Sequence, residues 1–146
     1  MSETVQDLLD HKGGACHTIG PDETVYEAIR RMEAVDVGAL MVVQDGRLLG
    51  VISERDYARK VILRGRSSKE TLVRVIMTRR LVKVRPAQTL ADCARLMTEH
   101  GIRHLPVVQR GRLLGVLSIR DVLSASDLAR LMLAAAGAPP GRSDPA

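Results

Sequence analysis

Apolar residues recur at helical spacing in two stretches of the chain, 65 positions apart. The two sets are Val25, Ala28, Ile29 and Met32, and Leu90, Cys93, Ala94 and Met97. Apolar positions at i, i+3, i+4 and i+7 form one face of an amphipathic helix. Each set follows a threonine with an acidic residue three positions later, which is typical of a capping box. We therefore predict two equivalent helices, begun by Thr24 with Glu27 and by Thr89 with Asp92.

The segments after the two helices also match under this shift. Each contains two apolar runs, "GALMVV" and "RLLGVIS" in the first copy, separated by Asp45-Gly46 or by Arg110-Gly111. An Asp-Gly pair between apolar runs is a strong hairpin signal. Residues 21–58 align with residues 86–123 without a gap, and 17 of these 38 positions are identical. Chance would give about two or three identities, so the chain contains a duplication.

Each copy predicts a short strand, a helix, two strands and a further helix. The fold class is therefore α/β (α+β), with two β-α-β-β-α repeats that are too small to be stable alone and should pack sheet against sheet. The expected organisation is an N-terminal helix and break (1–14), a first repeat (15–64) and a basic linker with a short helix (65–79). A second repeat (80–136) and a disordered tail rich in proline and glycine (137–146) follow.

Composition limits the classes of partner. The net charge of +5 favours partners that carry phosphate. The only aromatic residues are Tyr26 and Tyr57, so a flat ligand ring would lie between aliphatic side chains. Two cysteines give neither a disulfide framework nor metal-ligand spacing. No stretch is apolar enough for a signal peptide or a membrane span, and we expect a cytoplasmic protein without membrane attachment.

The strand-to-helix turns "GVISERD" and "GVLSIRD" have two explanations. Ser53 with Asp56, and Ser118 with Asp121, fit a capping box that needs no ligand. A ligand site is the alternative, because the glycine within each strand (Gly50 or Gly115) often marks close approach by a ligand or another backbone. A helix start with an adjacent arginine, Arg55 or Arg120, also suits a phosphate. A carboxylate suits ribose hydroxyls, so the parts together fit an adenosine nucleotide.

These motifs resemble those of a tandem pair of cystathionine β-synthase (CBS) domains, the Bateman module. The resemblance covers about residues 1–136, and the segment "SERDYARKVIL" is similar to stand-alone bacterial signalling proteins. It implies two repeats about a pseudo-two-fold axis, with clefts that bind adenosine derivatives: AMP, ADP, ATP, NAD(H) or S-adenosylmethionine. It also implies a homodimer that acts as a sensor on an effector protein in trans.

The resemblance also implies roles for individual residues. Asp56 and Asp121 would hold the ribose diol, while Ser53 and Ser118 would meet ribose or phosphate. Thr18 matches the position that touches the adenine edge, whereas the second copy has Lys83 there, which departs from the family pattern. Basic residues after the second copy's first helix would contact phosphate. The remaining candidates are Arg103 and His104 for that contact, their neighbours Ile102 and Pro106, and two residues of the first repeat, Val37 and Ala39, which correspond to Ile102 and His104.

Other functions stay open as alternatives. A ligand-free dimerisation or scaffold module would use the two Ser-x-x-Asp turns only as caps. Nucleic-acid binding through the basic linker is less favoured, because the linker lacks the aromatic residues that stack on bases. No nucleophile with a nearby base is evident, so we predict no enzyme activity, and the histidines have no metal-ligand spacing.

Overall fold

The computed structural model describes residues 3–13 and 16–123, and within them both repeats follow the predicted order. The first repeat consists of β1 (Thr18–Ile19), α2 (Val25–Val35), β2 (Ala39–Gln44), β3 (Arg47–Ser53) and α3 (Glu54–Tyr57), which continues as a π-helical turn (Ala58–Ile62). The second repeat begins with an isolated β-bridge between Val84 and Val107 in place of the predicted short strand, and continues with α5 (Leu90–His100), β4 (His104–Gln109), β5 (Arg112–Ser118) and α6 (Ile119–Val122). Before the repeats lie α1 (Val5–Lys12) and α4 (Val73–Ile76), respectively.

The predicted capping boxes differ between the two long helices. At α5 the box is complete: Asp92 N donates to Thr89 Oγ1 and Thr89 N donates to Asp92 Oδ2, both at 3.1 Å. At α2 only the threonine half forms, with Glu27 N donating to Thr24 Oγ1 at 3.1 Å. The reciprocal half of the prediction is wrong, because Arg30 and Arg31 bind the Glu27 carboxylate instead.

The two hairpins have the predicted turns and matching registers. In the first turn Asp45 and Gly46 have φ values of 53° and 81°, and in the second Arg110 and Gly111 have 53° and 82°. Two consecutive residues with positive φ fit the tight turn that joins twisted strands. The bulge between Val42 and Val43 recurs 65 residues later. The duplication therefore extends to backbone irregularities.

The repeats meet edge to edge at the hairpin turns. The sheet order is β1-β2-β3-β5-β4, and β3 pairs with β5 at Arg47 and Arg112. Leu48 N donates to Gly111 O at 3.1 Å, and Leu113 N donates to Gly46 O at 3.0 Å. This reciprocal joint differs from the expected sheet-against-sheet packing. The two strands run antiparallel, so they lead from the joint to two separate strand-to-helix turns.

The helix that precedes each repeat packs into the core of the other repeat. Val5 and Leu9 of α1 are buried with Met97, Leu105 and other residues of the second repeat. Val73 and Ile76 of α4 are buried in the core of the first repeat. Backbone hydrogen bonds agree: Val5 N donates to Gln88 O, and Val73 N donates to Glu23 O. The core of each repeat is thus completed by the helix that precedes the other repeat in sequence.

The last predicted helix is described only at its start, as α6, and its further residues and the tail at 137–146 lie outside the described part of the chain, which ends at Leu123. Among the helices that are described, none is long and apolar enough to cross a membrane. The expected cytoplasmic location stays a prediction.

Candidate functional site

Both Ser-x-x-Asp turns form complete capping boxes. Ser53 N donates to Asp56 Oδ2 at 2.9 Å, and Asp56 N donates to Ser53 Oγ at 3.1 Å. In the second repeat Ser118 N donates to Asp121 Oδ2 at 2.7 Å, and Asp121 N donates to Ser118 Oγ at 3.2 Å. The capping explanation is therefore correct for both turns.

The Asp56 carboxylate is buried and has several donors around it. Beyond the cap, Ser53 Oγ donates to Oδ2 at 2.9 Å and Thr78 Oγ1 donates to Oδ1 at 3.0 Å. Lys60 Nζ lies 2.9 Å from Oδ1, one helical turn later, and also donates to Ile76 O at 2.9 Å. Thr78 and Ile76 belong to the segment between the repeats. The carboxylate therefore joins the first repeat to that segment.

The Asp121 carboxylate is more exposed than that of Asp56. Its side chain is 25% exposed, compared with 10% for Asp56. Lys12, at the end of α1, donates to Asp121 Oδ2 at 2.8 Å and to Val116 O at 2.9 Å. Partial burial by itself raises the pKa of Asp121, but hydrogen bonds from Lys12 and Ser118 outweigh it, so the pKa lies below its ordinary value. The carboxylate is thus held ionised beside an ammonium group.

The glycine within β3 is explained by another backbone. Val51 N donates to Thr78 O at 2.9 Å, and a Cβ on Gly50 would lie 2.7 Å from the same carbonyl oxygen. The side chain of Met77 covers the same point. Of the two reasons expected for this glycine, approach of a ligand or of a backbone, the backbone applies at Gly50.

Several candidate residues lie beside these turns. Ala39 is paired with Ser53, and His104 is paired with Ser118 in the same register of the second hairpin. The carbonyl oxygen of Arg103 accepts from Ile119 N at 2.8 Å. Arg55, Arg103, His104 and Arg120 are exposed. The second turn therefore has an exposed arginine next to it on α6 and another just before β4.

Other candidates lie farther along the strands or against the cores. Val37 and Ile102 are half-buried and pack on the cores of their own repeats. Pro106 is buried, and its carbonyl oxygen accepts from Val84 N at 3.0 Å, next to the exposed Lys83. Thr18 is exposed and is paired with Met41. The contacts found for these residues do not connect them directly with either aspartate.

Two surface cavities lie away from the aspartates. One of about 350 Å³ is lined by Tyr26, Ile29, Arg30, Glu33, Tyr57 and Ser68. The other, of about 250 Å³, is lined by Cys16, His17, Thr18, Arg30, Arg31, Ala34, Val35 and Leu40. Of the candidate site residues, only Thr18 lines either cavity. The two turns are the better candidate sites, because in each of them several polar groups converge on a single carboxylate.

Sequence reasoning missed Lys12, Lys60 and Thr78. Lys60 had a local signal, because a lysine four residues after an aspartate lies on the same helix face. Thr78 and Lys12 had none, because their contacts depend on how distant segments pack. Within the described part of the chain, no group of three or more histidine, cysteine or acidic side chains is arranged to hold a metal ion.

Comparison with known proteins agrees with the repeat and its turns. The family model for the CBS domain matches residues 4–63 and 73–128. The chain is 42% identical, over 133 residues, to the mitochondrial CBS domain-containing protein CBSX3 of Arabidopsis thaliana, covering 85% of this chain and 65% of the relative. The chain thus spans just under two thirds of that relative's length.

Solved structures show the same fold. The CBS-domain structure NE2398 is 43% identical with a TM-score of 0.73, covering 84% of this chain and 95% of that one. A Burkholderia ambifaria protein with CBS domains, assigned to signal transduction, is 39% identical with a TM-score of 0.71. The match covers 94% of this chain and 98% of the Burkholderia chain. The chain therefore belongs to the CBS domain family and carries two CBS domains in tandem.

Proposed function

We propose that the chain is a regulatory module that binds an adenosine ligand at the Asp121 turn and acts on a partner protein in trans. Tandem CBS domains form a regulatory family that typically binds adenosine ligands. The observation that carries the proposal is the ionised, partly exposed carboxylate of Asp121, which lies where α1 meets the second repeat. Ribose hydroxyls are donors, and a carboxylate is the acceptor that suits them.

The hydrogen-bonding capacity of Asp121 supports this assignment. Its contacts with described residues all fall on Oδ2, so Oδ1 can accept from a ribose hydroxyl. The Ser118 hydroxyl accepts from Asp121 N, and its own hydrogen can be donated to a ligand. By contrast, Ser53 Oγ donates to Asp56, and both Asp56 oxygens have partners. We therefore assign the ligand to the second turn and a structural role to Asp56.

The charges around the two turns also favour the second turn as the ligand site. Glu54 opens α3, and its carboxylate lies over Gly38. The corresponding residues of the second repeat are Ile119 and Arg103, whereas the next residue of each helix, Arg55 or Arg120, is an arginine in both repeats. An anionic ligand is disfavoured by the first arrangement and favoured by the second. This difference supports a nucleotide at Asp121, with Arg103 and His104 toward its phosphate.

Thermal unfolding with added ligand tests the proposal. A ligand that binds only the folded state stabilises it by about 2.7 kcal/mol at a hundredfold excess over its dissociation constant. AMP, ATP, NAD, NADH and S-adenosylmethionine are each added at a millimolar concentration to protein shown to be free of nucleotide. We expect at least one to raise the midpoint, and the rise to be lost in Asp121→Asn. A midpoint unchanged by all five compounds would contradict the proposal and favour the alternative of a ligand-free scaffold.

Asp56→Asn is the matched control for this experiment. It changes the equivalent residue of the first repeat, so it should lower the midpoint of the ligand-free protein and preserve the ligand-induced rise. Loss of that rise in Asp56→Asn but not in Asp121→Asn would move the site to the first turn.

Assembly into a homodimer is part of the proposal, and exposed apolar side chains support it. Ile62 and Leu63, at the end of the π-helical turn, are 56% and 77% exposed. Burial of such residues against a second copy removes apolar area from water. Sedimentation of the wild type and of Ile62→Ser/Leu63→Ser tests this, with a dimer expected only for the wild type. A monomeric wild type would contradict it.

The remaining parts of the proposal concern catalysis and location. We propose a cytoplasmic regulator without catalytic activity that acts on an effector protein in trans. Nucleic-acid binding through the linker is the less favoured alternative. It predicts an affinity that falls steeply with salt and is lost in Arg79→Ala/Arg80→Ala.

A further inference from the structure

We propose that Lys12 is a ligand-binding residue of the second turn, and that its ammonium makes this turn select adenosine bearing a 5′-phosphate over uncharged or cationic adenosine compounds. The inference rests on the proposed function and specifies its ligand class. It begins from the position of Lys12 Nζ, 2.8 Å from the carboxylate assigned to ribose.

The packing of α1 determines the position of Lys12. Val5 and Leu9 are buried in the core of the second repeat, and Thr4 forms a bridge with Thr89 at the start of α5. Gln6 N donates to Pro86 O at 2.9 Å. The helix is therefore fixed to the same repeat that contains Asp121. Its last residue is held at the turn although 109 positions separate the two residues in sequence.

The lysine can serve a ligand without giving up its present contacts. An ammonium group has three donors, and those of Lys12 reach two acceptors among the described residues, Val116 O and Asp121 Oδ2. One donor therefore suits a phosphate oxygen of a ligand whose ribose is bound at Asp121 Oδ1. The lysine side chain is 29% exposed, and ion pairs at this exposure are weak enough to rearrange.

The local charges determine which adenosine compounds fit. Lys12 Nζ lies at the Asp121 carboxylate, Arg120 is part of α6, and the Arg103 carbonyl oxygen accepts from Ile119 N, so three positively charged residues are close to the turn. The first repeat has Glu54 where the second has the uncharged Ile119. A phosphate is attracted by this arrangement, whereas the sulfonium and ammonium groups of S-adenosylmethionine are repelled. Uncharged adenosine gains only the ribose and base contacts. We therefore expect the order of affinity to be AMP, then adenosine, then S-adenosylmethionine.

The first repeat provides a matched control. Lys60 Nζ likewise contacts one carboxylate and one backbone carbonyl there, Asp56 Oδ1 and Ile76 O, both at 2.9 Å. Its carboxylate partner is buried and also bound by Thr78. Lys60→Gln thus removes an equivalent ammonium from a turn to which we assign no ligand.

Calorimetric titration of the full chain with AMP, adenosine and S-adenosylmethionine tests the inference. A hydrogen bond to a charged group corresponds to about tenfold in affinity. Lys12→Gln should weaken the affinity for AMP by about tenfold and change the affinity for adenosine by no more than about twofold. Lys12→Arg should keep most of the preference for AMP over adenosine. Lys60→Gln should leave the AMP-to-adenosine ratio unchanged, and thermal unfolding of each variant without ligand confirms folding.

The two proposals fail in different ways. If AMP and adenosine both bind, and Lys12→Gln leaves their ratio unchanged, the role of Lys12 is wrong and the adenosine site stands. If Lys12→Gln instead tightens both ligands equally, the lysine is a competitor for Asp121, and selection by its charge is also wrong. If neither ligand binds the wild type, the proposed function fails and this inference fails with it.

Discussion

Arg47 and Arg112 each cover the turn glycine of the other repeat. They face each other in the bridge between β3 and β5, and the guanidinium of Arg112 lies over Gly46 while that of Arg47 lies over Gly111. Arg112 Nη1 also donates to Asp45 O at 3.2 Å. Two like charges thus cross at the joint, and each is directed at a backbone turn. The absence of a side chain on both glycines makes this crossing compatible with close backbone pairing.

Gly111→Ala should therefore destabilise the protein by about 1–2 kcal/mol. The φ of 82° is unfavourable for a residue with a Cβ, and the added methyl would also displace the Arg47 guanidinium. Gly65→Ala is the control, because its φ of 68° imposes similar strain while a Cβ there meets no atom within 4 Å. Urea unfolding of both variants checks the difference. An equal loss in the two would mean that the guanidinium moves aside without cost.

Gly50→Ala should destabilise by about 2–3 kcal/mol through close packing alone. Its Cβ would meet Thr78 O, a backbone atom held by hydrogen bonds to Val51. Gly38→Ala is the matched variant, since its Cβ would meet only the mobile carboxylate of Glu54 at 3.2 Å. We expect a small change there. Similar unfolding free energies for the two variants would contradict the packing explanation.

Asp56→Asn should cost more stability than Asp121→Asn when no ligand is present. The buried Asp56 carboxylate accepts from Ser53, Thr78 and Lys60. Asparagine has an NH2 group in place of one carboxylate oxygen, and because this group cannot accept, at least one of these donors would lose its acceptor. We expect the free energy of unfolding to fall by about 2 kcal/mol in Asp56→Asn and by about 1 kcal/mol or less in Asp121→Asn. Chemical denaturation of nucleotide-free protein measures both. The reverse order would contradict the structural role of Asp56.

The Glu27 carboxylate should make stability depend on acid pH. Hydrogen bonds from Arg30, and then from Arg31, lower the pKa of Glu27 to about 2. A pKa that is lower in the folded state stabilises that state above the unfolded pKa of about 4.3, and this stabilisation is lost as the pH falls toward 2. Glu27→Gln should thus lower the unfolding midpoint at pH 7 and match the wild type near pH 2.

Glu33→Gln, in the same helix, is the control for this pH dependence. Glu33 forms no ion pair with a described residue, so its replacement should leave the pH profile close to that of the wild type. A difference between Glu27→Gln and the wild type that persists unchanged to pH 2 would rule out titration of Glu27 as the cause.

Leu9→Ala should destabilise the second repeat although the residue precedes the first. Leu9 is 7% exposed and lies in the core formed with Met97 and Leu105. Removing a buried leucine side chain costs about 2–4 kcal/mol. Amide hydrogen exchange should report faster opening of α5 and β4 than of α2 and β2. Equal effects on the two repeats would indicate a single cooperative unit.

Local patterns were sufficient to predict most of the elements and caps, whereas the environments of the aspartates depend on long-range packing. The periodicity and the Ser-x-x-Asp turns act within a few residues, so the sequence revealed them directly. The half-formed cap at Thr24 could not be predicted, because Arg30 and Arg31 compete for Glu27. Lys12 reaches Asp121 only because α1 packs on the second repeat. The difference between the two turns arises from those distant contacts.

The crossed packing of α1 and α4 has a consequence for dividing the protein. A cut in the linker would give one half that carries α1 and another that carries α4, and each half would hold the helix that the other half's core requires. Such fragments should be poorly folded alone and should recover native structure when mixed, by complementation of the two cores. The duplicated halves are therefore not independent building blocks, and a single copy transplanted into another protein would need the helix that precedes its neighbour.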